Sequence, residues 1–109
     1  MENIKIKLRD GLAVSGKVTD TVLFHYKNGL VDFEITDGCY DRNFRLDAEN
    51  SRELMTLLNI TDDEKAQTIL FNVFEKNNDK DSNFYINKFK TICQEYGIEY
   101  KYSAWMSSD

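Results

Sequence analysis

The chain has 109 residues, of which 41% are hydrophobic, 30% are charged and 13% are aromatic, and its formal net charge is −5. This composition is typical of one globular domain over residues 1–109 and excludes a disordered chain. The acidic balance disfavours direct nucleic-acid binding, which needs a clustered basic surface. The sequence lacks both a membrane-spanning apolar run and a signal-peptide apolar region, so we expect a cytoplasmic location and no membrane partner.

Apolar residues recur at every second position over 4–46, which is the period of a half-buried β-strand. The first predicted strand also carries a basic stripe on its other face, where edge strands often place charges that prevent aggregation. Its apolar residues are Ile4, Ile6 and Leu8, and its basic residues are Lys5, Lys7 and Arg9.

The dipeptide Asn28-Gly29 predicts a two-residue hairpin of type I′, because both central positions of that turn need a positive φ. The turn fixes the register of the two flanking strands. One face becomes largely solvated and sets His25 opposite Asp32. The other face is apolar and pairs Tyr26 with Val31, Phe24 with Phe33, and Val22 with Ile35.

A second turn at Asp37-Gly38 leads into a further strand with Tyr40, Phe44 and Leu46 on one face. Arg42 interrupts that apolar face, and we expect a β-bulge or an edge position to accommodate it. Together the strands predict an antiparallel meander with one buried and one solvated face.

After residue 47 the apolar period becomes that of α-helices. Asp47 or Asn50 is expected to cap the first helix, Thr61 and Glu64 form a predicted capping box for the second, and a third runs from about 83 to 96 before Gly97. The predicted apolar stripes are Leu54, Leu57 and Leu58 in the first helix, Ala66, Ile69, Leu70, Val73 and Phe74 in the second, and Ile86, Phe89, Cys93 and Tyr96 in the third.

The C-terminal segment alternates Ile98, Tyr100 and Tyr102 with polar residues, which predicts one more strand. The sequence therefore predicts an α+β fold. In this fold an antiparallel meander of about five strands is followed by about three helices packed on one face and by a C-terminal strand.

The segment NNDKDSNFYINK, residues 77–88, resembles the calcium loop of the EF-hand family. Asp79, Asp81 and Asn83 match positions 1, 3 and 5 of that loop. Phe84 then stands in place of the glycine at position 6, and Lys90 replaces the bidentate glutamate at position 12. We therefore expect no metal site or cofactor, and interpret the short polar residues of 77–83 as a loop that ends one helix and caps the next.

Acidic residues crowd the first helix and the start of the second, where the helix dipole alone favours negative charge. The functional interpretation is an acidic patch that binds a basic surface. Trp105 is a further candidate, because Trp is a frequent binding anchor and the alternation turns it away from Tyr100 and Tyr102. The candidate binding residues are Glu53, Asp62, Asp63, Glu64 and Trp105.

His25 is the only histidine, and with Asp32 it could form half of an acid–base couple. The sequence places no nucleophile or second acid beside it, which favours a surface cross-strand pair. Cys39 and Cys93 lack the spacing of a redox or metal motif, and we interpret them as small hydrophobic residues in the interior or half-buried.

The sequence contains no phosphate-binding loop, nucleophile elbow or zinc-ligand spacing. This favours a small acidic non-enzymatic protein-binding module of the inhibitor or immunity type that phages and mobile elements use against host defence. Its partner would be a protein with a basic surface, such as a nuclease. One alternative is a small enzyme or ligand-binding domain that uses the His25/Asp32 sheet face. Another is a structural subunit that self-associates through its final strand or a sheet edge.

Overall fold

A computed structural model describes residues 3–12, 19–38, 40–77 and 79–106. Five antiparallel strands form one sheet in the order β1-β2-β3-β4-β5, so the predicted α+β fold is confirmed and the C-terminal strand is its fifth strand. Within the described ranges, no helix is long and apolar enough to cross a membrane. The elements are β1 (Ile4–Leu12), β2 (Thr19–Lys27), β3 (Leu30–Asp37), β4 (Tyr40–Arg45), α1 (Ala48–Leu57), α2 (Asp63–Val73), α3 (Ser82–Tyr96) and β5 (Lys101–Met106).

The hairpin of β2 and β3 has the predicted turn and register. Asn28 and Gly29 have φ values of 54° and 81°, as a type I′ turn requires. Phe24 then lies opposite Phe33, and all the predicted apolar pairs are present. The turn chemistry therefore sets which side chains of these two strands enter the core.

The helices pack on the sheet face that carries the apolar residues, which we call the helix-side face; the other is the open face. At its centre the Phe33 ring lies between two further rings, with centroid distances of 5.5 Å to Phe74 and 4.5 Å to Phe89. All three side chains are almost fully buried. Because Phe74 caps the C-terminus of α2 and Phe89 lies in α3, this stack joins both helices to β3.

Arg42 lies in an uninterrupted ladder, with Ile35 of β3 opposite it on one side and Ala104 of β5 on the other. β4 is an internal strand, since β5 pairs with its second edge. The predicted bulge or edge position for Arg42 is therefore wrong. The guanidinium stays on the helix-side face.

The described bulge lies in β1, where the register shifts between Lys7 and Arg9. The bulge turns Arg9 to the helix-side face, where the Nε of Arg9 lies 2.7 Å from Oδ2 of Asp20. The predicted basic stripe is therefore wrong at Arg9, although Lys5 and Lys7 remain exposed on this edge strand.

Three aspartates cap the helices by accepting a hydrogen bond from the backbone of the first turn. Asp47 caps α1, and its hydrogen bonds from Asn50 lower the pKa of its carboxyl group. Asp62 caps α2 in place of the predicted Thr61, so the Thr61–Glu64 capping box is wrong by one residue. Asp81 caps α3, which ends as predicted at Gly97 with a φ of 66°.

The apolar stripes of α1 and α3 differ from the prediction at one position each. Leu57 and Tyr96 are both 43% exposed. Ser51 and Met55 are buried in α1 instead. The reason in α1 is a polar contact, since Ser51 Oγ accepts a hydrogen bond from the Val31 backbone nitrogen at 2.8 Å and turns this side of the helix toward β3.

Replacing Ser51 with alanine is expected to lower the free energy of unfolding by about 1–3 kcal/mol, because the buried Val31 N–H loses its acceptor. Thr56→Ala is the control, since the exposed Thr56 hydroxyl bonds only to a carbonyl of its own helix. Denaturant unfolding of both variants measures the difference. Equal effects would show that the Ser51 hydroxyl does not join α1 to the sheet.

Cys93 is a buried free thiol in α3, as interpreted from the sequence, whereas Cys39 lies outside the described residues. Burial raises the pKa of the Cys93 thiol from 9.0 to about 11. The unfolded thiol therefore ionises first, and this group lowers the free energy of unfolding as pH rises above 9.0.

In a Cys39→Ser background, Cys93 is expected to react with a thiol reagent at neutral pH about a hundredfold more slowly than the unfolded chain, because its thiolate fraction is lower. The measurement is the alkylation rate with and without denaturant. A folded rate equal to the unfolded rate would contradict the burial of this thiol.

Candidate binding surface

The helix-side face is open where it reaches β4 and β5. The helices α1, α2 and α3 contact β3, β1 and β2, respectively. Large aromatic side chains therefore remain at the surface, including Tyr102, which is 49% exposed. We call this region the aromatic corner; it consists of Tyr40, Arg42, Phe44, Lys90, Tyr100 and Tyr102.

A cavity of about 240 Å³ lies in the aromatic corner, between the sheet and α3. Phe44 is almost fully buried beneath it. Its ring centroid lies 5.2 Å from that of Tyr100 and 4.9 Å from that of Tyr102, so the exposed rings rest on the core. The cavity therefore has firmly packed walls of aromatic rings.

Two cationic side chains line the same cavity. The Arg42 guanidinium carbon lies 5.6 Å from the Tyr40 ring centroid, and Lys90 Nζ lies 5.8 Å from that of Phe44. Neither forms an ion pair with a carboxylate among the described residues, and the buried Nε of Arg42 has no hydrogen-bond partner. A buried donor without an acceptor costs about 1–3 kcal/mol. The cavity is therefore suited to an anionic group that would satisfy Arg42.

The open face carries a larger depression of about 370 Å³, lined in part by His25, Asp32 and Arg45. Two of its charged side chains, Asp32 and Arg45, already pair with each other. Asp32 Oδ2 lies 3.3 Å from Nε of Arg45, and Asp32 Oδ1 accepts a hydrogen bond from Asn43 Nδ2 at 2.8 Å. Asp32 and Arg45 therefore need no ligand to balance their charges.

The predicted His25–Asp32 pair lies opposite across β2 and β3, but its side chains do not form a couple. His25 Nδ1 lies 3.4 Å from Glu34 Oε2, on the diagonal neighbour. Asp32 is instead held by Arg45, whose positive charge competes for the carboxylate. The cross-strand placement favoured by the sequence is therefore confirmed, and the alternative of an acid–base couple lacks a direct contact between the two side chains.

Among the sequence-predicted binding residues, Trp105 lies apart from the acidic residues at the start of α2. Glu53 is exposed on α1, while Asp63 and Glu64 are exposed in the first turn of α2, beyond its cap Asp62. Trp105 is 47% exposed on the open face, opposite Asp41, so it points away from the helices as predicted. Because α2 packs on β1, the acidic start of α2 and Trp105 belong to opposite edges and opposite faces of the sheet.

The start of the EF-hand-like segment connects α2 to α3, as interpreted from the sequence, and its residues from Ser82 onward belong to α3. Asp81 accepts a hydrogen bond from the Phe84 backbone, and the helix begins at Ser82. The Tyr85 hydroxyl anchors the connection, since it donates to the Asn77 carbonyl and accepts from the Asn77 backbone nitrogen. In the part of the chain that the structure describes, no three His, Cys, Asp or Glu residues lie close enough to hold a metal ion.

Sequence reasoning missed Arg42 and Lys90 as site residues. The sequence did contain a signal for Arg42. A charged residue at a position where the strand pattern expects an apolar one can indicate a binding position as well as a bulge. Lys90 carries no such mark, because an exposed helical lysine is common. Its place beside Phe44 follows only from the packing of α3 on the sheet.

The chain matches no protein-family model, no curated protein and no solved structure. The aromatic corner is therefore the observation on which a function can be based.

Replacing Arg42 with methionine is expected to raise the free energy of unfolding by about 1 kcal/mol, because the buried unpaired Nε is removed while the apolar part of the side chain remains. Arg45→Met is the matched control on the open face of the same strand. It removes the ion pair with Asp32 and is expected to be neutral or slightly destabilising. Thermal or denaturant unfolding compares the two; a loss of stability in Arg42→Met would contradict an unsatisfied Arg42.

Proposed function

We propose that this chain is a non-enzymatic protein-binding module that holds its partner at the aromatic corner. The observation that carries the proposal is a packed aromatic cavity that contains Arg42, whose buried Nε lacks a hydrogen-bond partner. Tyrosine and arginine are enriched among the residues that dominate interface energies. A partner that covered this cavity would remove exposed aromatic surface from water and could give Arg42 the acceptor it lacks.

The distribution of exposed apolar residues supports the same region. Seven large hydrophobic side chains are exposed among the described residues. Three of these, Tyr40, Tyr100 and Tyr102, belong to the aromatic corner, whereas Trp105 lies on the open face of β5. Scattered exposed apolar residues are ordinary on a protein surface, whereas a cluster indicates an interaction site.

The finer form of the proposal is an inhibitor or immunity-type role, in which the chain blocks a basic-surfaced protein such as a nuclease. It is supported by the net charge of −5 and by the exposed acids Glu53, Asp63 and Glu64, which form no ion pair within the described residues. These acids offer a second candidate surface. A cytoplasmic location is part of the proposal, and the free Cys93 thiol is consistent with a reducing compartment.

The test is capture of partners from a lysate of the source cells by tagged protein, followed by mass spectrometry. Tyr102→Ala is expected to reduce retention of the partner at least about tenfold, because it removes an exposed ring from the cavity wall. Tyr96→Ala is the matched control, since Tyr96 is 43% exposed but lies at the end of α3, outside the aromatic corner. We expect the control to retain the partner.

A further variant tests the acidic surface in the same experiment. It combines Glu53→Lys, Asp63→Lys and Glu64→Lys and leaves the helix cap Asp62 intact. If this variant loses the partner while Tyr102→Ala keeps it, the partner binds the acidic surface and the aromatic corner is not the site. Retention of one specific partner by every variant would reject both surfaces.

A further inference from the structure

We infer that the segment bound at the aromatic corner is an extended acidic strand of the partner protein, which pairs with the edge of β5 and places a carboxylate against Arg42. This inference rests on the proposed function and specifies the chemistry of the segment bound at the aromatic corner, which is separate from the basic surface that would face Glu53, Asp63 and Glu64. Its two parts are the availability of the β5 edge and the charge beside it.

β5 is an edge strand, since it pairs only with β4 in the described sheet. Its other side presents backbone N–H and C=O groups, which can receive a further strand. The ladder with β4 is regular from Lys101 to Met106, and the strand, KYSAWM, has one charged residue and no proline. Nothing within β5 therefore obstructs strand addition.

The opposite edge is different. β1 contains the bulge between Lys7 and Arg9 and has four charged residues in the sequence IKIKLRDGL. Bulges and charged side chains are the features with which proteins prevent pairing at a sheet edge. The two edges of this sheet are therefore unequal, and β5 is the one suited to a partner strand.

The ladder places Arg42 within reach of such a strand. Ala104 lies directly opposite Arg42 on the helix-side face and is exposed. A residue of an added strand beside Ala104 would lie about 10 Å from the Arg42 Cα, which is two strand spacings. The Ala104 methyl group is the smallest side chain that could separate them, so the guanidinium can reach across it.

Side chains two positions apart on a strand lie on the same face, so a second residue of the added strand would lie near Lys90. A residue two positions along the added strand would lie beside Tyr102, which shares the cavity with Lys90. Acidic residues two positions apart would therefore meet both unpaired cations. The predicted motif of the partner is Asp/Glu-x-Asp/Glu in an extended segment.

Charge disfavours the two other occupants of this edge. β5 contains no acidic residue, so a second copy paired through β5 would bring two further cations and no carboxylate from its strand. Single-stranded nucleic acid also binds aromatic and cationic side chains, but two cations in a chain of net charge −5 give it little electrostatic attraction. An acidic protein strand satisfies the charges that are present.

The experiment selects random linear peptides by display on the wild-type chain and then measures their affinity by titration. Enriched peptides are expected to carry the predicted acidic motif and to bind Arg42→Gln at least about tenfold more weakly. Two methylated peptides are compared, one with methyl groups on the backbone nitrogens of odd positions and one on those of even positions. Only one of them is expected to bind more weakly, since only one set of N–H groups faces β5.

A second arm tests the placement of Arg42 by thermal unfolding and by binding of the selected peptides. Ala104→Glu supplies a carboxylate from β5 itself and is expected to raise the melting temperature above that of Ala104→Gln and to abolish binding of the selected peptides. In an Arg42→Gln background the Glu and Gln variants are expected to melt alike. Equal melting temperatures in the wild-type background would overturn the assignment of Arg42.

The remaining outcomes each overturn the inference. They are enrichment of no peptide, enrichment of peptides without acidic residues, displacement of the peptide by a single-stranded oligonucleotide, and a dimer in sedimentation that Ala104→Glu dissociates. The proposed function fails separately. If partner capture depends on Tyr102 while selection yields no acidic strand, the aromatic corner remains the binding site and only the chemistry of its partner is wrong.

Discussion

The stack of Phe33 between Phe74 and Phe89 is the contact on which this fold depends. It lies on the middle strand of the sheet, and its two outer rings come from the C-cap of one helix and the centre of another. Burying three aromatic side chains at one point fixes how α2 and α3 cross the sheet. With the helices held over β1 to β3, the helix-side face of β4 and β5 is left without a complete cover.

The open end of the core explains why a charged residue is tolerated in the middle of an apolar strand face. Beneath the helices, Arg42 would be enclosed by apolar side chains; at the aromatic corner its guanidinium reaches the Tyr40 ring, and only Nε is left without a partner. Natural proteins violate the rules of core packing mainly at functional positions, where stability is exchanged for binding. The side chain that lowers the stability of the fold, Arg42, is thus also the one on which the proposed function depends.

Features set by local chemistry were predicted from the sequence, and features set by strand order were not. The type I′ turn at Asn28-Gly29 fixes its own register, and Gly97 ends α3 through its positive φ. The bulge was predicted in the wrong strand because Arg42 lies between β3 and β5, and β5 is distant from it in sequence.

The candidate site was largely unpredictable for a related reason. The aromatic corner combines β4, α3 and β5, and no spacing in the sequence indicates that these elements converge. In the same way, the separation of Trp105 from the acidic residues follows from the positions of β1 and β5 at opposite edges. The bulge in β1 then has a consequence for assembly. A sheet with one edge closed to pairing can grow in only one direction, so association through β5 ends at a discrete complex and does not propagate into a fibre.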